Sequence, residues 1–328
     1  MRRPLDIFRA LGDATRLRIV QLVRRMELSV GELAQVLGQS QPRVSRHVKI
    51  LCDAGLLARR KEGSWVFVAL GRADVVTPVA AMLDGWAADD HWAVADAARL
   101  QAVRADRASA AAAWFEAHAG EWDAIRSLHV AEEQVEAAMA TLLGDHPVGT
   151  LVDIGTGTGR MLELFGARAA HAVGIDRSSE MLRLARSKLG GAAELRQADL
   201  YQLPLADGAA DLAVLHHVLH FAEEPGKAIG EAARVLGVNQ QGGGRLLIAD
   251  FAPHDCEELR ARDAHVRLGF ADEQVASWFG AAGLRMERIE TLEGGELTVK
   301  LWLGRRVNAP EGLARKSGPA KLEEVKAA

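Results

Sequence analysis

The chain has only two cysteines, Cys52 and Cys256, among 328 residues. Two thiols supply neither a disulfide framework nor a cysteine-built metal cluster. No uncharged stretch reaches the roughly 18 apolar residues that a spanning helix needs, so no membrane partner is expected. The opening Met1-Arg-Arg-Pro-Leu-Asp lacks the apolar core of a secretion signal. Together these absences predict a cytoplasmic protein.

What is present is apolar material and an uneven charge. Hydrophobic residues make up 49% of the chain, enough for two cores, and length predicts more than one domain. The net charge of −4 conceals a split: residues 1–72 carry 14 Lys or Arg against 6 Asp or Glu, so +8 there leaves −12 elsewhere. A basic module joined to an acidic one implies that only the first meets a polyanion.

Residues 5–70 read as helices followed by a strand pair. Asp13 can cap a helix running through Arg25, and Ser29-Val-Gly-Glu32 has the spacing of a capping box. Gly38 ends that short helix. Ser40 opens the next, with Pro42 in its first turn where a missing N–H does no harm. Helical spacing places Val44, Val48 and Leu51 on one face and turns Arg43, Ser45, Arg46 and Lys49 outward, with Gln41 at the start. His47 falls on the buried flank. Leu56 to Leu70 then reads as two strands around Glu62-Gly63, with Arg59, Arg60 and Lys61 as a basic wing. Several cations on one surface are what phosphate contacts require, whereas a solvated face in a protein-binding winged helix is the plainer alternative.

Leu11-Gly-Asp-Ala-Thr-Arg-Leu-Arg-Ile19, Ser40 to Leu51 and Ala54-Gly-Leu-Leu57 resemble the ArsR/SmtB winged-helix repressors over residues 5–72. That resemblance implies a homodimer on a double-stranded DNA operator, contacted by Gln41, Arg43, Ser45, Arg46, Lys49, Arg59, Arg60 and Lys61. The family's metal-sensing cysteine positions are occupied here by Ser29 and Gly31, and Asp89, Asp90 and His91 read as solvated loop. No metal is expected.

Residues 73–149 are rich in Ala, Asp, Glu and Arg and poor in Gly and Pro, which predicts helices rather than a flexible linker. By the repressor resemblance, residues 73–90 make the dimer interface. Trp114-Phe115 and Trp122-Asp123 either cap a ligand or simply staple helices to a sheet.

Leu151-Val-Asp-Ile-Gly-Thr-Gly-Thr-Gly159 reads as a strand running into a tight glycine turn, and Ala172-Val-Gly-Ile-Asp176 as a second strand ending in a carboxylate. Glycine lets backbone approach a ligand closely, and an acid at that second tip can accept both ribose hydroxyls. A dinucleotide fingerprint needs its third glycine one residue later, where Arg160 stands. The turn therefore suits a nucleoside better than NAD.

These two motifs resemble those of class I S-adenosylmethionine-dependent methyltransferases, and the likeness runs over roughly 110–305. It implies cofactor contacts at Asp153, Gly155, Thr156, Gly157, Gly159, Asp176, Arg177, Asp199, Leu200 and His216. His217 and His220 are candidate general bases, or helix and loop residues without a proton role. Asp211 to Leu215 and Arg245 to Asp250 read as further strands, and 284–292 with 296–303 as a closing hairpin.

The expected fold is α/β: a winged helix-turn-helix over 1–90, a helical bridge and cap over 91–149, and a Rossmann-like seven-stranded methyltransferase domain over 150–307. Residues 308–328 lack periodicity and read as a disordered tail. Three functions follow. The chain is a transcriptional regulator with a working small-molecule methyltransferase, a regulator that senses S-adenosylmethionine or S-adenosylhomocysteine without turnover, or a metabolic methyltransferase that its winged helix only dimerises. Arsenite is a poor acceptor for so few thiolates.

Overall fold

The structure, a computed structural model, describes residues 2–62, 65–84, 92–103, 105, 132–145, 147–239, 242–293 and 296–307. Gly63 at the wing tip, the Asp89–His91 cluster, both aromatic pairs of the expected cap, Gly294-Gly295 and the tail lie outside these residues.

The N-terminal unit runs α1 (Arg2–Leu11), α2 (Ala14–Arg25), β1 (Leu28–Ser29), α3 (Val30–Leu37), α4 (Gln41–Asp53), β2 (Leu57–Glu62), β3 (Trp65–Leu70) and α5 (Ala73–Asp84). Local chemistry sets these limits. Asp13 accepts the Arg16 N–H at 3.0 Å, and Ser29 with Glu32 forms the reciprocal capping box. Gly38 closes α3 in the left-handed region, at φ 64°. Val44, Val48 and Leu51 bury the inner face of α4 against Ile19, Leu33 and Leu56, leaving Arg43, Arg46 and Lys49 exposed. His47 is held at the flank, its Nδ1 3.7 Å from Asp13. The sheet order is β1-β3-β2.

A helix over 92–103 packs on this unit, since Leu100 and Val103 join its core and Asp96 pairs with Arg18 at 2.7 Å. Helix Glu132–Leu143 instead buries Val135, Met139 and Leu143 beside the second sheet. The expected bridge is thus divided in its packing between the two units.

The second unit contains β4 (Val148–Ile154), β5 (Ala169–Asp176), β6 (Glu194–Gln197), β7 (Leu212–His216), a small hairpin of β8 (Val238–Asn239) and β9 (Gly242–Gly243), then β10 (Arg245–Phe251), β11 (Leu284–Leu292) and β12 (Val299–Arg306). Seven strands form one sheet in the order β11-β12-β10-β7-β4-β5-β6. The pairs from β10 through β6 are parallel, and β12 runs antiparallel between β10 and β11. Near-continuous burial of β7 and β10 fits strands covered on both faces. Strand order reverses between β4 and β7, where open α/β sheets form a ligand crevice at their carboxyl ends.

Candidate cofactor crevice and nucleic-acid face

Asp153 is buried one residue before the end of β4, and its Oδ2 accepts the Thr156 hydroxyl at 2.6 Å. The turn beyond it has φ of 74°, 52° and 85° at Gly155, Gly157 and Gly159, a region unfavourable for side chains bearing Cβ. The Gly155 and Thr156 N–H groups donate to the Ile175 carbonyl at 2.7 and 2.9 Å, locking the turn onto β5. Close approach has different causes along the turn. A Cβ on Gly155 would meet Val218 at 2.5 Å, and one on Gly159 would meet Leu189 at 2.9 Å. Those two glycines make room for protein packing at Val218 and Leu189.

Gly157 has another role: its N–H donates to Asp176 Oδ2 at 2.9 Å, while Ser178 N–H donates to Oδ1 at 2.8 Å. Each carboxylate oxygen keeps further acceptor capacity. Burial raises the Asp176 pKa, and the Ser178 and Gly157 N–H bonds oppose that rise. Arg160 turns away from the crevice: its Nε and Nη2 bind Glu136 at 2.6 and 2.7 Å, and Nη1 binds Glu163 at 2.8 Å. Of the other expected contacts, Leu200 is half-buried, while Arg177 and Asp199 are exposed. Asp199 lies beyond the end of β6 and accepts the Tyr201 N–H at 2.9 Å.

At the neighbouring strand ends, His216 Nε2 lies 3.1 Å from Glu132 Oε1, and His220 Nδ1 lies 2.9 Å from Asp250 Oδ1. His217 adopts φ 53°, uncommon for a residue with a side chain, and its N–H donates to Ala249 O at 2.8 Å. That ring is buried, and its Nδ1 has no hydrogen-bond partner among the described residues. Burial, aided by the His216 charge, holds the His217 pKa well below its ordinary value. His265 lies against His220, ring centres 4.2 Å apart. Glu132, Asp250 and His265 were not among the site residues expected from the sequence. Asp250 carried a legible signal, since it ends an apolar run as Asp153 and Asp176 do; Glu132 and His265 carried none.

On the N-terminal unit, a groove of about 530 Å³ is lined by Ser29, Gly31, Gln41, Ser45, Arg59 and Trp65 among others. Arg59 Nη2 donates to Ser45 O at 2.8 Å, so the wing closes on α4. Gln41, Arg43, Arg46, Lys49 and Lys61 are exposed. Arg60 is set apart from them. Side chains alternate along a strand, and Arg60 Nη2 is paired with Glu27 Oε2 at 2.8 Å.

Fold and crevice define a winged-helix regulatory unit joined to a doubly wound unit with a left-handed glycine turn at its switch point. The arsR family of bacterial regulatory proteins matches residues 13–59, and the methyltransferase domain family matches residues 152–248. The arsenical resistance operon repressor of Escherichia coli is 47% identical over 68 residues, covering 20% of this chain and 58% of that protein. The arsenic resistance transcriptional regulator ArsR1 of Pseudomonas putida is 42% identical over 99 residues, covering 30% and 77% respectively. The demethylmenaquinone methyltransferase of Thermobifida fusca is 31% identical over 196 residues, covering 53% and 81%. A methyltransferase solved with the Trm112 activator of Haloferax volcanii shares the fold at TM-score 0.50 and 19% identity, covering 59% of this chain and 98% of that one. The chain belongs to the arsR family of bacterial regulatory proteins in its first part and to the methyltransferases in its second. Among the described residues no helix is long and apolar enough to cross a membrane.

Proposed function

We propose that this chain is a homodimeric, cytoplasmic transcriptional regulator that binds an operator through α4 and its wing and S-adenosylmethionine at the carboxyl ends of β4 and β5. The observation that carries the cofactor reading is Asp176, anchored through both oxygens by backbone N–H groups beside the left-handed glycine turn. A carboxylate so held is pre-organised to accept two ribose hydroxyls. The donor set fits the nucleoside, because Asp153 suits a cationic amino group and the turn's only arginine is committed to Glu136 and Glu163.

Residues Asp153, Gly155, Thr156, Gly157, Gly159 and Asp176 would hold the cofactor, with Arg177, Asp199, Leu200 and His216 around it. When bound, its sulfonium supplies an activated methyl group on a neutral leaving group. The protein's part is then alignment, worth several kcal/mol when reacting atoms are held about 3–3.5 Å apart. His217 and His220 are the candidates to meet a small-molecule acceptor beside the donor. His217, whose Nδ1 has no hydrogen-bond partner among the described residues, is the candidate to take a proton from that acceptor.

Calorimetric titration of the full chain tests this reading. S-adenosylmethionine is expected to bind and NADH to bind far more weakly; the reverse order sinks it.

A further inference from the structure

Phe67 on β3 is 1% exposed, yet none of the three hydrophobic cores among the described residues contains it. Guanidinium groups cover it instead. Arg267 lies 4.4 Å from the ring centre, Arg260 5.8 Å and Arg60 5.9 Å. Two of these arginines come from the methyltransferase unit and one from the wing. Glu27, between α2 and β1, serves both sides: its Oε2 lies 2.8 Å from Arg60 Nη2 and 2.8 Å from Arg267 Nη1. Arg267 is 0% exposed, and its Nη2 donates to Glu223 O at 2.6 Å. Lys227 adds a rim contact, donating to Arg25 O at 3.1 Å.

The backbone around Arg267 faces the other way. The Val266 and Arg267 N–H groups both donate to His220 O at 2.9 Å. The His265 ring lies beside His220, and the Phe270 N–H donates to Phe251 O at 2.9 Å. One short segment thus presents its backbone and His265 to the crevice and sends Arg267 into the winged helix.

A fully buried arginine is costly unless its charge is compensated, and removing one partner of such a pair costs more than the pair contributes. Glu27 and the Phe67 ring face provide that compensation from the winged helix. We infer that Arg267 couples the winged helix to the crevice: clamped by Glu27 and Phe67, it holds the His265 segment against His220, so that wing and crevice share one contact. The inference rests on reading that crevice as the transfer site. It also gives Arg60 a second role. A DNA phosphate drawing Arg60 from Glu27 would leave that carboxylate to Arg267 alone, and any such coupling must be reciprocal.

The test uses the full chain as wild type, Glu27→Gln, and the milder Phe67→Leu. Amide exchange is followed over 263–270, with and without a DNA duplex selected by the wild type from a randomised pool. In Glu27→Gln the Val266 and Arg267 amides are expected to exchange about tenfold faster, the scale of losing one charged contact, with the α4 amides unchanged. The duplex is expected to alter exchange at 263–270 in wild type and not in Glu27→Gln. Unchanged exchange at 263–270 in both variants overturns the clamp, as does faster exchange spread evenly over both units, the mark of plain destabilisation. A wild type that takes up no S-adenosylmethionine overturns the cofactor reading instead, and the exchange result still decides the clamp.

Discussion

His220 Nδ1 lies 2.9 Å from Asp250 Oδ1, both side chains buried where β7 and β10 end. The same carboxylate accepts the Phe251 N–H at 2.8 Å and the His220 N–H at 3.2 Å. Burial pushes the Asp250 pKa up to about 6, and the Phe251 and His220 N–H groups oppose the rise. Folded Asp250 therefore holds its proton more tightly than the unfolded chain does. Its contribution to stability is fully present below the ordinary carboxylate range near 3.9 and is lost as pH rises through about 6. Asp250→Asn should remove this dependence. Urea unfolding from about pH 4 to pH 7 should show wild type losing its advantage over the variant as pH rises, then a constant difference. A constant difference throughout contradicts the shifted carboxyl.

The shift at His217 has the opposite sign. Its folded pKa lies below the unfolded value near 6.5, so its stability contribution is present above that value and lost as pH falls. The imidazole should remain neutral in NMR titrations well below pH 6.5, with its resonance identified by loss in His217→Asn. Titration at the ordinary histidine value would show that burial does not control it. If His217 takes a proton during transfer, the same variant should lower kcat about 100-fold or more with little change in KM.

Asp176→Ala removes the acceptor for two ligand hydroxyls and should weaken S-adenosylmethionine by about 1–3 kcal/mol. Gly157→Val should be worse, because a β-branched residue is strained at φ 52° and its N–H must stay aligned on Asp176. Calorimetry on both variants checks the order. Equal affinity in wild type and Asp176→Ala would remove Asp176 from the cofactor site.

Operator binding should separate the basic residues by role. Arg46→Ala is expected to cost about 1–3 kcal/mol on the selected duplex if it reads a base, and Lys61→Ala to lower the salt slope by about one with little sequence preference. Arg60→Ala should change the slope less, since that guanidinium is paired with Glu27. Fluorescence anisotropy across salt measures all three. Unaltered binding in both Arg46→Ala and Lys61→Ala would contradict this DNA face.

Much of the architecture is local and therefore legible in the chain itself. The Ser29–Glu32 capping box, the Gly38 stop and the Val44–Val48–Leu51 stripe depend on neighbours three or four residues away. The two apolar runs ending at Asp153 and Asp176, with glycines between, likewise specify strand, turn and strand before any packing is known. Strand order is harder to read, because β12 inserts antiparallel between β10 and β11 only through long-range pairing. What tertiary structure alone decided is how side chains are shared. Period two along β2 separated Arg60 from Arg59 and Lys61, and docking of the two units brought Arg267 to Glu27 and Phe67. The first of these follows from strand phase, which a run of three basic residues does not reveal. The second depends on the relative placement of two cores, which no local spacing encodes.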